Sequence, residues 1–146
     1  VRFLIDVVGY YRPGDAGALF YPVDPVRAYD SRPSGGGPGA LHGGAQRRVR
    51  VAGSSGAAGG AGDAVPSGAS AIAYNVTITA SRASGHLRLY PADAPMPDAS
   101  ILNWPGAGYT RANGSAVAVS PDLAIGIYNG SASPTDVVVD VLGYYR

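Results

Sequence analysis

One short segment occurs twice in this chain, and the repetition constrains what the chain can fold into. Residues 1–12 read VRFLIDVVGYYR, and residues 135–146 read TDVVVDVLGYYR. Aligned at Asp6 and Asp140, the two copies share the pattern D-V-x-G-Y-Y-R. A strand carried once at each end of a domain-sized chain is typical of one unit of a tandem array that retains the closing strand of the unit before it.

Both copies alternate in the way that β-strands do. One face of the first copy carries Phe3, Ile5, Val7, Gly9 and Tyr11. The matching face of the second copy carries Val137, Val139, Val141, Gly143 and Tyr145. The opposite faces are also partly apolar, which predicts that strands of this kind lie inside a sheet rather than at an exposed edge.

The residue types that are missing predict an all-β fold. The chain has no Lys, no Glu and no Cys, and it has one Met and one Gln, so most strong helix formers are absent. The 22 Gly and 12 Pro interrupt the chain throughout, while Val, Ile, Thr and ten Tyr supply strand-forming stretches. Turn signals such as Asn113-Gly114 separate about 8–10 short strands, which predicts a single-domain antiparallel β-sandwich, or a barrel-like variant of it.

The predicted organisation has three parts. Residues 1–12 form a linking or donor strand, residues 13–18 form a hinge rich in Gly and Pro, and residues 19–146 form the sandwich. The prolines at 22 and 25 predict that residues 18–32 run along a sheet edge. Residues 33–64 are rich in Gly and carry few apolar anchors, so we expect them to be the most mobile part of the chain.

Asp140 and Asp6 each interrupt an apolar strand, and a carboxylate in that setting needs a partner because burying it alone is costly. The nearest motif rich in guanidinium groups is Arg27-x-x-Asp30-x-Arg32. We therefore expect a structural ion-pair network in which Asp140 pairs with Arg27 or Arg32. In the same way, Asp6 is expected to meet the equivalent arginine of a neighbouring unit.

Several kinds of site find little support in the sequence. A net charge of +1 gives no reason to expect nucleic acid as a partner, and no apolar run approaches the ~20 residues that span a bilayer. No metal-binding or catalytic motif is legible, so neither a cofactor nor an enzymatic activity is expected. Trp104 and Tyr109 could form a platform on which a sugar stacks, although packing within the fold is the favoured role for these rings.

Four motifs follow one another along the chain: FYPVDPVRAYDSR (20–32), VPSGASAIAYNVTIT (65–79), GHLRLYPADAPMPDASILNW (85–104) and TDVVVDVLGYY (135–145). Together they resemble a repeat module of secreted bacterial proteins, whose pattern runs F-x-P-x-x-P-x-R-x-x-D-[ST]-R, then N-V-T-x-T, then S-x-L-N, and ends D-V-x-V-D-V-x-G-Y-[FY]. The likeness covers most of residues 20–145. It implies an extracellular or cell-surface β module, and it names no chemistry.

The duplicated strand favours a non-enzymatic structural module whose partners are adjacent identical units. In this hypothesis residues 1–11 complete the sheet of a neighbour by β-strand addition, and the head-to-tail contact propagates into a filament or stalk. The neighbour is either the preceding repeat of one polypeptide or a separate subunit. The alternative is a carbohydrate-binding module of a secreted or cell-surface protein, with a cell-envelope or environmental polysaccharide as its partner.

Overall fold

The structure is a computed structural model that describes residues 5–14, 17–52 and 64–146. Within this part of the chain, two four-stranded antiparallel sheets pack face to face, which confirms the predicted all-β sandwich. The strands are β1 (Phe20–Asp30), β2 (Gln46–Arg50), β3 (Ala71–Thr79), β4 (Gly85–Pro91), β5 (Leu102–Trp104), β6 (Arg111–Ala118), β7 (Ala124–Asn129) and β8 (Asp136–Tyr145). One short 3-10 helix, Pro33–Gly35, follows β1.

The first sheet has the order β1-β8-β3-β6, so the second copy of the repeated segment is an inner strand. β8 pairs antiparallel with β1 on one side and with β3 on the other. β1 is an edge strand, as its two prolines predict, and its register shifts between Pro22 and Val26. Both hydrogen-bonding edges of β8 are therefore already in use.

The core lies between the two sheets and follows from a period of two along the strands. In β3, alternate residues are buried, and Ile72, Val76 and Ile78 are inaccessible to solvent. β7, an inner strand of the second sheet (order β2-β7-β4-β5), is buried on both faces over most of its length. Such a strand needs small residues where a ring crosses it, and Gly126 lies against the ring of Tyr90.

The fold bears on two predictions made from composition. Residues 33–52 are better anchored than their glycine content predicts, because Leu41, Val49 and Val51 are buried in the core. The remaining part of the expected mobile region, residues 53–63, lies outside the described residues. Asn113-Gly114 is no turn; it lies within β6, where it pairs with the middle of β3.

Among the described residues, no helix has the length and apolar character needed to cross a membrane.

Candidate assembly site

The site of interest is the space between β1 and β3 that β8 fills, which we call the β8 slot. On the β1 side, Arg27 lies opposite Asp140 and Phe20 lies opposite Tyr145. On the β3 side, nine residue pairs run from Ala71 opposite Tyr145 to Thr79 opposite Asp136. An antiparallel ladder on each side satisfies the backbone of the inserted strand, so the slot accepts only an extended segment.

The inner face of the slot selects for side-chain size. Val137, Val139 and Val141 are inaccessible to solvent, as the alternation in the sequence predicts. Gly143 completes this face because the Phe20 ring lies across it. A β-carbon at position 143 would sit 2.5 Å from Phe20 Cε2 and 2.7 Å from a backbone oxygen, closer than atoms approach. The slot therefore accepts a glycine at this position and no larger residue.

On the outer face of the slot, an arginine binds a carboxylate of the inserted strand. Arg27 donates from Nε to Asp140 Oδ1 at 2.5 Å and from Nη1 to Asp30 Oδ2 at 3.1 Å. Arg32 donates from Nε and Nη2 to the two oxygens of Asp30, at 2.8 and 2.6 Å, in the bidentate arrangement that fixes geometry best. The structure thus joins all four residues of the predicted network, and Arg27 connects the buried carboxylate of Asp30 to the strand in the slot.

Asp30 is the centre of this network. It is 2% exposed, and it also accepts the backbone N–H of Arg32 at 3.0 Å. The hydrogen bonds from the Arg32 side chain lower its pKa to about 2, against the opposing effect of burial. The glycine-rich turn after β1 closes over it, since a β-carbon at Gly35 would lie 2.7 Å from Asp30 Oδ2. The residues around Asp30 therefore hold its carboxylate charged and shielded from solvent.

Aromatic rings line the end of the slot where β8 finishes. The rings of Phe20 and Tyr145 are 5.1 Å apart, and those of Tyr21 and Tyr144 stack at 5.2 Å. The sequence analysis did not identify this pairing, although an aromatic pair flanking a strand glycine is a signal of it. The Tyr11 hydroxyl lies 2.5 Å from that of Tyr145, and this contact raises the pKa of Tyr145 to about 12.

The described part of the first copy, residues 5–12, lies outside both sheets. Residues 5–12 belong to no strand, and Ile5, Val7 and Tyr11 are 78–85% exposed. Asp6 is exposed and joins none of the ion pairs that the described residues form. Nothing lies within 4 Å of the position that a Gly9 β-carbon would take. Phe3 lies outside the described residues.

The structure places Trp104 in the packing role that the sequence favoured over a sugar platform. Trp104 is 3% exposed, and its indole N–H donates to the Ala83 carbonyl at 2.7 Å, so the ring belongs to the core. Tyr109 is exposed, but the Arg111 guanidinium lies 5.1 Å from its ring centroid and occupies one face. Since Trp104 is buried and one face of Tyr109 is covered by a cation, the two rings do not form a joint stacking platform.

An open groove of about 670 Å³ lies beside Trp104, lined by Ser84, Gly85, His86, Asn103, Trp104, Pro105, Arg111 and Gly130. The imidazole of His86 packs directly against Gly130 and leaves no room for a β-carbon there. His86 Nε2 is buried and has no hydrogen-bond partner in the described structure, and burial, with Arg88 as a second cause, lowers the pKa of this group. A neutral imidazole fits this position.

Over residues 5–14, 17–52 and 64–146, no three His, Cys, Asp or Glu side chains come together in a way that could hold a metal ion. No protein-family model matches the chain, and no curated protein matches it.

Proposed function

We propose that this chain is a non-enzymatic, extracellular structural unit that joins adjacent units in series, with residues 1–11 acting as the strand that fills a neighbour's β8 slot. The observation that carries the proposal is that the chain has two copies of one strand and one slot for it. The copy at 136–145 fills the slot, and the copy at 5–12 lies exposed outside both sheets. The apolar side chains of residues 5–12 then have no core of their own to enter.

The residues of the first copy match the demands of a slot rather than those of its present surroundings. Glycine is obligatory at position 143 because a ring lies across it, whereas Gly9 has open space around it. Asp140 is held by Arg27, whereas Asp6, its counterpart, is exposed. A segment that enters the slot needs a glycine under the Phe20 ring and an aspartate opposite Arg27. Gly9 and Asp6 supply these two residues in the first copy.

Counting strands and slots favours one kind of acceptor. In a group of identical complete chains, each chain has one slot and two candidate strands for it. Each slot is already filled by residues 136–145 of its own chain, so an exchange of strands between chains fills no additional slot. A neighbour gains from residues 1–11 only when its own slot is empty. The preceding repeat of a single polypeptide meets this condition, because a series of units that share strands has one strand for each slot.

The contact joins unlike surfaces, so it propagates as an open series rather than closing into a dimer. Each junction would bury the apolar side chains of the inserted strand and complete two ladders of backbone hydrogen bonds. The resulting object is a filament or stalk of sandwiches connected by residues 13–18. Its resemblance to modules of secreted bacterial proteins supports a location outside the cell.

The test is complementation of an empty slot. A shortened chain of residues 13–134 lacks both copies and is refolded with a peptide of residues 1–12. We expect an equimolar complex in sedimentation velocity, with the tryptophan fluorescence of a buried Trp104. A peptide of residues 135–146 is the positive control, and Val8→Ala is the matched control variant, because its counterpart Leu142 points outward and is exposed.

The peptide with Gly9→Val is expected to fail, since the added carbons meet the Phe20 ring. If residues 135–146 complete the shortened chain and residues 1–12 do not, the proposed function is wrong. Electron microscopy of the native material, which either contains filaments or does not, tests the same proposal at the level of the assembly.

A further inference from the structure

The slot of this chain lies within reach of the chain's own first copy. Leu19 and Arg146 exchange backbone hydrogen bonds of 2.8 and 3.0 Å, so the start of β1 and the end of β8 lie side by side. Residues paired in this way have Cα atoms about 5.5 Å apart. Arg12 is the counterpart of Arg146 in the repeated pattern. Only residues 13–18 separate Arg12 from Leu19.

These six residues read Pro-Gly-Asp-Ala-Gly-Ala, a composition typical of a hairpin loop. They can extend to about 20 Å, far more than the 5.5 Å that a hairpin closure requires. We propose that residues 5–12 can replace residues 139–146 in the slot of the same chain, pairing with β1 as a hairpin whose loop is 13–18. The two copies then compete for one place, and either can be the surplus strand.

The residues that would enter the slot keep its main contacts. Asp6 would take the place of Asp140 opposite Arg27, and Val7 is identical to its counterpart, Val141. Gly9 would lie under the Phe20 ring as Gly143 does. The observed contact between the hydroxyls of Tyr11 and Tyr145 already places the two copies together at the end of the slot.

Side-chain volume explains which copy holds the slot. Ile5 is one methylene larger than Val139, which is fully buried. Extra carbon atoms in a close-packed core force strained rotamers or backbone shifts. The copy at 136–145 is therefore the better fit and fills the slot of the intact chain, and the first copy enters when the second is weakened.

This exchange involves one chain and no neighbour, so it stands or falls separately from the proposed function. Failure of the exchange would leave intermolecular complementation untouched. If the peptide of residues 1–12 fails to complement the shortened chain in solution, the exchange within one chain can still be measured, because there the loop holds the same segment beside the slot.

The experiment is a double-mutant cycle on the full chain: wild type, Gly9→Val, Gly143→Val and both together. Thermal unfolding is followed by the fluorescence of the single Trp. Gly9→Val is expected to melt within about 1 °C of wild type, since no atom of the described residues lies within 4 Å of the position that a β-carbon would take there. Gly143→Val is expected to lower Tm by about 5–10 °C, and the double variant by at least a further 10 °C or so, because no copy then fits.

Hydrogen exchange supplies the direct readout. In wild type we expect protected amides in 136–145 and rapid exchange in 5–12. In Gly143→Val we expect this pattern to reverse. A second cycle uses Val139→Asp, which buries a carboxylate in the core, with Ile5→Asp as its exposed mirror variant. This second cycle tests the exchange if residues 136–145 of the Gly143→Val variant remain protected in the slot.

The expected result is the same in both cycles. Each substitution in the first copy leaves Tm unchanged by itself and lowers Tm when it is combined with the substitution in the second copy. The proposal is overturned if the double variant of the Val139 cycle melts with Val139→Asp alone while the amides of 5–12 stay unprotected.

Discussion

Removing the charge of Asp30 should destabilise the fold in a way that depends on pH. The perturbation is Asp30→Asn, which keeps the shape of the side chain but removes the charge that accepts four hydrogen bonds from two arginines. An amide offers one acceptor oxygen, and its NH₂ group would face guanidinium donors. Because breaking a buried ion pair costs about 3–5 kcal/mol and both arginines remain partly hydrated, we expect a loss of about 3 kcal/mol at neutral pH.

The pH dependence follows from the pKa of Asp30, which falls from 3.8 to about 2 in the folded protein. A carboxyl group whose pKa is lowered by folding stabilises the folded state at pH values above its pKa in the unfolded chain. This stabilisation is lost as the pH falls to the pKa in the folded protein. The difference of about 1.8 pKa units corresponds to about 2 kcal/mol. The gap in unfolding free energy between wild type and Asp30→Asn should therefore shrink by about 2 kcal/mol between about pH 6 and pH 2.

Urea unfolding monitored by Trp104 fluorescence measures both free energies, and subtracting the two proteins cancels the other titrating carboxylates. Asp98→Asn is the matched control, because the carboxylate of Asp98 is fully exposed and lies 3.4 Å from Arg88. Its removal should leave the free energy of unfolding nearly unchanged, because an exposed ion pair contributes little to stability. A gap that stays constant from pH 6 to pH 2, or an Asp30→Asn loss below about 1 kcal/mol at neutral pH, would refute the reasoning.

Three further outcomes are expected. Asp140→Ala should destabilise the isolated chain by about 1–2 kcal/mol in urea unfolding, whereas Asp6→Ala should leave it unchanged, because Asp140 pairs with Arg27 and Asp6 forms no ion pair among the described residues. Tyr11→Phe should lower the pKa of Tyr145 from about 12 towards 10 in an ultraviolet absorbance titration, since the Tyr11 hydroxyl is the main cause of the shift; an unchanged titration would contradict that contact. Trp104→Ala should cost about 3–5 kcal/mol in urea unfolding without any loss of binding on a glycan array, and glycan binding that disappears in this variant would restore the lectin hypothesis.

The parts of the fold that the sequence predicted are those governed by local pattern. Alternation over residues 69–80 is a period of two, and it became β3 with every second residue buried. Prolines in residues 18–32 cannot donate to a ladder, and β1 lies at an edge. In the candidate site, an aspartate in an apolar strand requires a cation, and the R-x-x-D-x-R motif supplied it.

The rest depended on contacts between distant segments. Asn113-Gly114 has the composition of a turn, but pairing along β3 extends the strand through it. The burial of Trp104 depends on the Ala83 carbonyl, which lies on another segment of the chain. Leu41 is an isolated apolar residue in a glycine-rich stretch, and its bridge to Thr135 brings it into the core. Local composition carries no information about such partners.

The adjacency of Leu19 and Arg146 also determines how a unit would respond to force. A pull transmitted along a series of units would act on β1 through residue 18 and on β8 through its last residue. Both points lie at the same end of one ladder, so the load would fall on its terminal hydrogen bonds first and then on each following pair in turn. Strands loaded in this way peel apart at low force, whereas strands pulled from opposite ends must break all their bonds at once. If units join in series as proposed, a stalk of them would lengthen under tension as β1 and β8 separate, and it would recover its length when they pair again.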